Sequence, residues 1–319
     1  MIDAVTIGET MVLLDPIENG PLDMVSGYRQ RVAGAESNFA IALARLGFRT
    51  AWISRLGTDP FGRLIRRAIS SEGVEVHAGE APDAPTGIYF KERAGPDAVA
   101  VHYYRTGSAA SGLKPGDVPE DVIQGARLLH FTGISMAVTG TLGEATLHAV
   151  DVARKAGLEI SFDPNLRPQL WSADSARRAL DSVMRDLDVL FTGEAEAQLL
   201  TGQTEQRRVL AELRKRAIKL VVIKRAAAGA LLASDDHVIQ IPPVQIESVI
   251  DSVGAGDAFN AGFVAGHLQG LDLAECGKLG CAVGASALAG TGDYETVPAW
   301  AQARQLAASL VAHEMEPMT

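Results

Sequence analysis

Short, continuous apolar runs recur along the chain, with longer amphipathic stretches between them. They are Ala4-Val5-Thr6-Ile7, Ala51-Trp52-Ile53-Ser54, Leu128-Leu129-His130-Phe131, Glu159-Ile160-Ser161-Phe162, Asp188-Val189-Leu190-Phe191 and Leu220-Val221-Val222-Ile223. Each is too short for a stable helix, and none alternates as a strand with one wet face would. Such runs read as strands covered on both faces. The stretches between them have helical spacing, as where Phe39, Leu43 and Leu46 fall on one face. Further helices are expected near 139–156, 173–186 and 205–217. This β-α-β-α order predicts a three-layer α/β/α sandwich around a mostly parallel sheet.

Two regions break the rhythm, about 11–32 and about 85–106. In the second, Gly87-Ile88-Tyr89-Phe90-Lys91 and Val99-Ala100-Val101-His102-Tyr103-Tyr104-Arg105 flank a Gly95-Pro96-Asp97 turn, which reads as a hairpin. Strands inserted into an α/β chain are expected to form a flap or small second sheet. From about 255 the sequence reads as helical almost to its end.

Composition narrows the function. With 319 residues, 47% of them apolar, the chain can bury a large core. The formal charge of −10 argues against nonspecific binding to nucleic acid or anionic membranes, but allows an anionic small substrate held by a few local cations. Cys276 and Cys281 form neither a disulfide framework nor a zinc motif. No basic leader and no long apolar span are seen, so a soluble cytoplasmic protein is expected. His130 reads as a packing residue and Asp235-Asp236 as a turn.

Asp251-Ser252-Val253-Gly254-Ala255-Gly256-Asp257-Ala258-Phe259-Asn260 carries the sharpest chemistry. Gly-Ala-Gly bares backbone N–H groups, and the residues after it read as the first turns of a helix. Unpaired donors and the helix dipole converge there on an anion site. A carboxylate beside that site, Asp257, is suited to accept a proton. Two rival motifs fail: Phe259 replaces the third glycine of a dinucleotide fingerprint, and no Gly-Lys-Ser/Thr is present for a Walker loop.

The segment Asp251 to Phe263 resembles the C-terminal motif of the ribokinase-like (PfkB) carbohydrate kinases. Gly34-Ala35-Glu36-Ser37-Asn38-Phe39-Ala40, with Gly47 and Gly57 beyond it, resembles that family's N-terminal motif for sugar hydroxyls. The resemblance spans the chain and implies one kinase domain, residues 1–319, with a β lid from about 11–32 and 85–106. It also implies ATP with Mg²⁺, and a homodimer or larger homo-oligomer paired through the lid. Asp257 would be the catalytic base, with Gly254, Ala255 and Gly256 around the transferred phosphoryl group.

Within the family, Tyr103-Tyr104-Arg105-Thr106-Gly107-Ser108-Ala109, Asp163-Pro164-Asn165-Leu166-Arg167 and Gly292-Asp293 resemble the 2-keto-3-deoxygluconate kinases. That implies transfer to the terminal hydroxyl of a sugar acid. Gly34, Asn38, Tyr89, Tyr103, Arg105, Arg167, Asp251 and Asp293 would surround the sugar. An arginine fork suits a carboxylate, although both arginines, read alone, equally suit structural ion pairs. On the nucleotide side, Lys224, Gly229, Gly254, Gly256 and Cys281 match positions flanking ATP. Glu196 matches the acid that holds magnesium through water. Gly193, Ala226 and Ala228 depart from the family pattern, and Cys281 stands where relatives carry an asparagine. A fructokinase-like or other neutral-sugar kinase, and a non-catalytic sugar or nucleotide sensor, stay open as alternatives.

Overall fold

In the computed structural model, which describes residues 1–95, 98–138, 140–216, 218–234 and 237–315, neighbouring residues of one strand belong to opposite hydrophobic cores. Ala4, Trp52, Leu128, Phe191 and Val222 pack on one face of a sheet, whereas Val5, Ile53, Leu129, Leu190 and Val221 pack on the other. Side chains alternate across a strand, so a strand buried on both faces must be apolar at every step. That is why the runs are continuous. The expected turn at Pro96-Asp97 and the Asp235-Asp236 pair lie outside the described residues.

In chain order the strands are β1 (Ile2–Ile7), β2 (Met11–Pro16), β3 (Tyr28–Ala33), β4 (Thr50–Gly57), β5 (Glu75–Ala81), β6 (Ile88–Gly95), β7 (Ala98–Tyr104), β8 (Ala126–Thr132), β9 (Glu159–Asp163), β10 (Val189–Gly193), β11 (Leu220–Lys224), β12 (Ala230–Ala233), β13 (Val238–Ile241) and β14 (His313–Met315). The large sheet has the order β14-β13-β12-β11-β10-β9-β8-β1-β4-β5. Its pairings from β5 to β11 are parallel, and those from β11 to β14 are antiparallel. Helices Ala35–Arg45, Ala255–Leu268 and Leu273–Ala287 cover one face. Helices Leu142–Ala156 and Gln206–Arg214 cover the other, completing three layers. Among the described residues no helix is long and apolar enough to cross a membrane.

A separate sheet of order β3-β2-β6-β7 is built from the two regions that broke the helical rhythm. Its inner face carries Met11, Leu13, Ala33 and Tyr89, with Val101 and Tyr103 packed against them. On its outer side Tyr104 is 65% exposed, and nearby loop residues Ile17 and Met24 are 62% and 76% exposed.

The C-terminal part is less helical than its composition suggests. Helices end at Ala287 and resume at Trp300, and the chain closes on β14, which pairs with β13. Gly290, Gly292 at φ +104° and Pro298 interrupt the helical run. The resulting loop brings Asp293 back across the mouth of the Ala255–Leu268 helix.

Candidate active site

Two helix N-termini meet beside the inner face of the small sheet. The first belongs to Ala35–Arg45 and starts from Gly34, whose added Cβ would lie 2.5 Å from the Glu9 carbonyl oxygen. The second belongs to Ala255–Leu268 and starts from Gly254 at φ +83°. There a Cβ would lie 2.2 Å from the Asp293 carbonyl oxygen, so both backbone angle and close packing require glycine. The first N–H groups of each helix have no partner within the helix, and their dipoles point into a shared space. That space is a cavity of about 750 Å³.

Asp257 lies in the first turn of the second helix, 7% exposed. Burial pushes its carboxyl up to about 7. A hydrogen bond from Asn38 and the Lys224 charge oppose that shift, while Asp163 and Asp293 add to it. Asn38 is held at both ends. Its Oδ1 accepts from Gly34 N–H at 3.4 Å, and its Nδ2 donates to Asp257 Oδ2 at 2.9 Å and to Asp293 Oδ2 at 3.3 Å. Burial also raises Asp293, to about 6, against the pull of Lys91.

The cations of the cavity differ in how far they are already neutralised. Arg105 Nε donates to Glu9 Oε2 at 2.8 Å, and its guanidinium lies 5.6 Å from the Tyr103 ring. The expected fork is therefore partly committed within the protein. Lys224 Nζ sits 2.5 Å from Asp163 Oδ2 and 3.2 Å from Asn260 Oδ1. Burial alone would raise Asp163, but the Lys224 ammonium and hydrogen bonds from Lys224 and Asn260 bring it below the usual carboxylate value. Lys91 is paired with Asp251. Arg167 has no acidic partner among the described residues; its Nη1 donates only a 3.4 Å bond to the Leu166 carbonyl.

Glu196 is used as a cap. Its Oε2 accepts from Gly193 N–H and its Oε1 from Leu166 N–H, both at 2.7 Å. Desolvation raises its carboxyl, and the neighbouring Asp163 charge adds to this. Among the described residues no group of three or more His, Cys, Asp or Glu could hold a metal. Both carboxylate oxygens of Glu196 are engaged by backbone donors.

Of the residues expected from sequence, Gly34, Asn38, Tyr89, Tyr103, Arg105, Arg167, Glu196, Lys224, Gly254, Gly256, Asp257 and Asp293 line the cavity. Asp251, Ala255, Gly229 and Cys281 do not. Asp251 sits behind the wall, where its Oδ1 accepts from Val253 N–H at 3.0 Å and shapes the turn before Gly254. Gly229 lies in a tight turn at φ +81°, 2.0 Å from the Ile241 carbonyl if given a Cβ. Cys281 is buried in Leu273–Ala287, where desolvation pushes its thiol up to about 12. Lys91 and Glu9 are among the lining residues that were missed. Lys91 follows Tyr89 by two along β6 and so shares its inner face, a signal available from strand periodicity. Glu9, next to the strand-ending Gly8, gave no comparable signal.

Several known proteins are similar to this chain in sequence or fold. The profile of the pfkB family carbohydrate kinases matches residues 1–300. A 2-dehydro-3-deoxygluconokinase from Bacillus subtilis (strain 168) is 36% identical over 300 residues, 93% of each chain. A 2-dehydro-3-deoxygluconokinase from Thermoproteus tenax is 35% identical over 315 residues, 97% of this chain and 95% of that one. An uncharacterised sugar kinase from Pyrococcus horikoshii, solved in complex with ATP, superposes with a TM-score of 0.82 at 25% identity, covering 95% of this chain and 99% of the other. With the family profile matching residues 1–300 and relatives 35–36% identical over 93–97% of its length, this chain belongs to the pfkB family of carbohydrate kinases.

Proposed function

We propose that this protein transfers the γ-phosphoryl group of ATP to the terminal (6-) hydroxyl of 2-dehydro-3-deoxy-D-gluconate. One observation carries the reading: a buried carboxylate at a helix N-terminus with open N–H donors shares its cavity with an arginine that has no acidic partner among the described residues. Two similar curated relatives are, by name, kinases of this sugar acid. Asp257 accepts the proton of the attacking hydroxyl. Gly254, Ala255 and Gly256 present N–H groups to the phosphoryl oxygens as charge builds on them.

Arg167 takes the substrate carboxylate, with Arg105 held beside it by Glu9. Asn38, Asp293, Tyr89 and Tyr103 surround the sugar, and Gly34 brings backbone close to it. Asp251 supports the turn. Lys224 lies within 3.3 Å of a Cβ placed on Gly256, near where transferred phosphate would sit. Magnesium, arriving with the nucleotide, would offset phosphate charge, with Glu196 touching its waters. Gly229 and Cys281 would flank the adenosine outside the cavity.

The small sheet serves as a lid on a single kinase domain, excluding water as a competing acceptor. Exposed Ile17, Met24 and Tyr104 support pairing of two lids in a homodimer. A cytoplasmic location, where ATP is plentiful, completes the reading.

The Glu9–Arg105 pair favours a second reading, a fructokinase-like enzyme for neutral sugars, because it cancels one of two expected charges. A coupled ADP-release assay with ATP and Mg²⁺ decides between them. The acid should exceed fructose and ribose in kcat/KM by at least ~10²-fold, given the strength of charge-assisted pairing. A preference for either neutral sugar would overturn the substrate, and no turnover with any would overturn the kinase reading in favour of a sensor.

A further inference from the structure

Lys91 is 1% exposed, on the lid strand β6, and faces the cavity with Tyr89. Burying an ammonium is unfavourable unless it is well paired, and an apolar side chain of equal length would fill the same space without that penalty. Packing alone therefore does not account for a lysine here. Its Nζ lies 2.8 Å from Asp251 Oδ2 and 3.6 Å from Asp293 Oδ1. The first is a hydrogen bond; the second is too long for one. Asp293 is 4% exposed, and its Oδ1 has no hydrogen-bond partner among the described residues. An ammonium carries three donors, of which Asp251 takes one. Two residues that line the cavity thus hold a spare donor and an orphaned acceptor, both buried, 3.6 Å apart, a spacing one hydroxyl can bridge on entering between them, by accepting from Nζ and donating to Oδ1.

We propose that Lys91 is a specificity-determining residue, which with Asp293 clamps one hydroxyl of the sugar, and that it carries this contact on the lid. The inference rests on the sugar-kinase reading but not on the acid substrate, because the clamp takes a hydroxyl and not a carboxylate. Asp251 holds the ammonium from behind, and the same ion pair ties β6 to the turn before Gly254. Sugar binding and lid placement are thereby linked through one side chain.

The test compares wild type, Lys91→Met and Lys91→Arg in steady state, using whichever sugar the wild type turns over best. Loss of a charge-assisted hydrogen bond should raise KM for the sugar ~10- to 100-fold in Lys91→Met. KM for ATP should stay within about twofold, and Lys91→Arg should recover part of the loss. With substrate analogues lacking one hydroxyl each, one analogue should bind wild type and Lys91→Met equally. Thermal melting of each variant shows whether it is folded. If Lys91→Met does not fold, the Lys91→Arg variant carries the analogue comparison, and a changed preference among the analogues is then the supporting result. Unchanged KM for the sugar in folded Lys91→Met, or equal rises for sugar and ATP, would overturn the clamp. Wild-type preference for fructose would overturn the acid substrate while leaving the clamp to be judged with fructose. Failure of wild type to bind or phosphorylate any sugar would overturn both.

Discussion

Asn38 Nδ2 lies 2.9 Å from Asp257 Oδ2, joining the N-termini of two helices 219 residues apart in sequence. A longer hydrogen bond, from Gly34 N–H to its oxygen at 3.4 Å, helps orient the amide. The proposed sugar ligand and the proposed base are therefore coupled, and a change in either is felt by both.

Asp257→Asn should keep this hydrogen bond, since an amide oxygen can replace the carboxylate oxygen, yet lose the proton acceptor. We expect kcat to fall by at least ~10²-fold, the low end for one acid–base group. Steady-state ADP release on folded protein checks it; near-normal turnover would remove Asp257 from the role.

Asp257 also sets a pH dependence. Its carboxyl is raised to about 7, so below that pH it carries a proton and cannot accept another. Log kcat/KM should rise with unit slope toward pH 7 and level off above. The same shift bears on stability: the folded carboxyl binds its proton more tightly than the unfolded one at 3.8, so its stabilising contribution is complete below about 3.8 and is lost as pH rises through about 7. Asp257→Asn should accordingly melt no lower than wild type at pH 8. A flat rate profile between pH 5.5 and 8, measured with a substrate that does not titrate in that range, would contradict the assignment.

Gly254→Ala should be severe. The residue sits at φ +83°, and the new methyl would meet the Asp293 carbonyl at 2.2 Å. Left-handed strain alone costs ~1–3 kcal/mol. Chemical denaturation should show at least that loss, and relief of the clash should displace Asp293 and weaken sugar binding. Wild-type stability and KM would show that the turn is more pliable than its packing suggests.

Arg167→Ala and Arg105→Ala should separate. Arg167 has no acidic partner among the described residues, so its loss should raise KM for the acid far more than for fructose, with little change in melting. Arg105 is paired with Glu9, which is 3% exposed, and removing it leaves a buried charge uncompensated. Breaking such a pair typically destabilises by ~3–5 kcal/mol. Calorimetry with paired kinetics distinguishes the two. Equal effects on acid and fructose in Arg167→Ala would sink the carboxylate assignment.

Much of the site was legible because its parts are local motifs. Gly254-Ala255-Gly256-Asp257 is a turn and helix start within a few residues, and its chemistry follows from unpaired N–H groups that neighbouring residues cannot reach. Lys91 was legible in principle by its two-residue offset from Tyr89. Glu9 was not, because nothing beside it in sequence reports that Arg105, 96 residues away, will close against it. Likewise Asp251 reads as a ligand from the motif, and nothing beside it in sequence reports that Lys91, 160 residues away, will pair with it.

By itself the sequence determined the layered fold and the glycine-led helix start with its open N–H donors. Both rest on short-range rules: strands buried on two faces must be apolar throughout, and a helix must begin with open donors. Only the tertiary structure decided which charges are spent. Arg105, Lys224 and Lys91 each meet a carboxylate from a distant segment, whereas Arg167 meets none among the described residues. In a site shielded from water the pairing of charges governs what a ligand experiences, and that pairing is a property of the packed chain and not of any one segment.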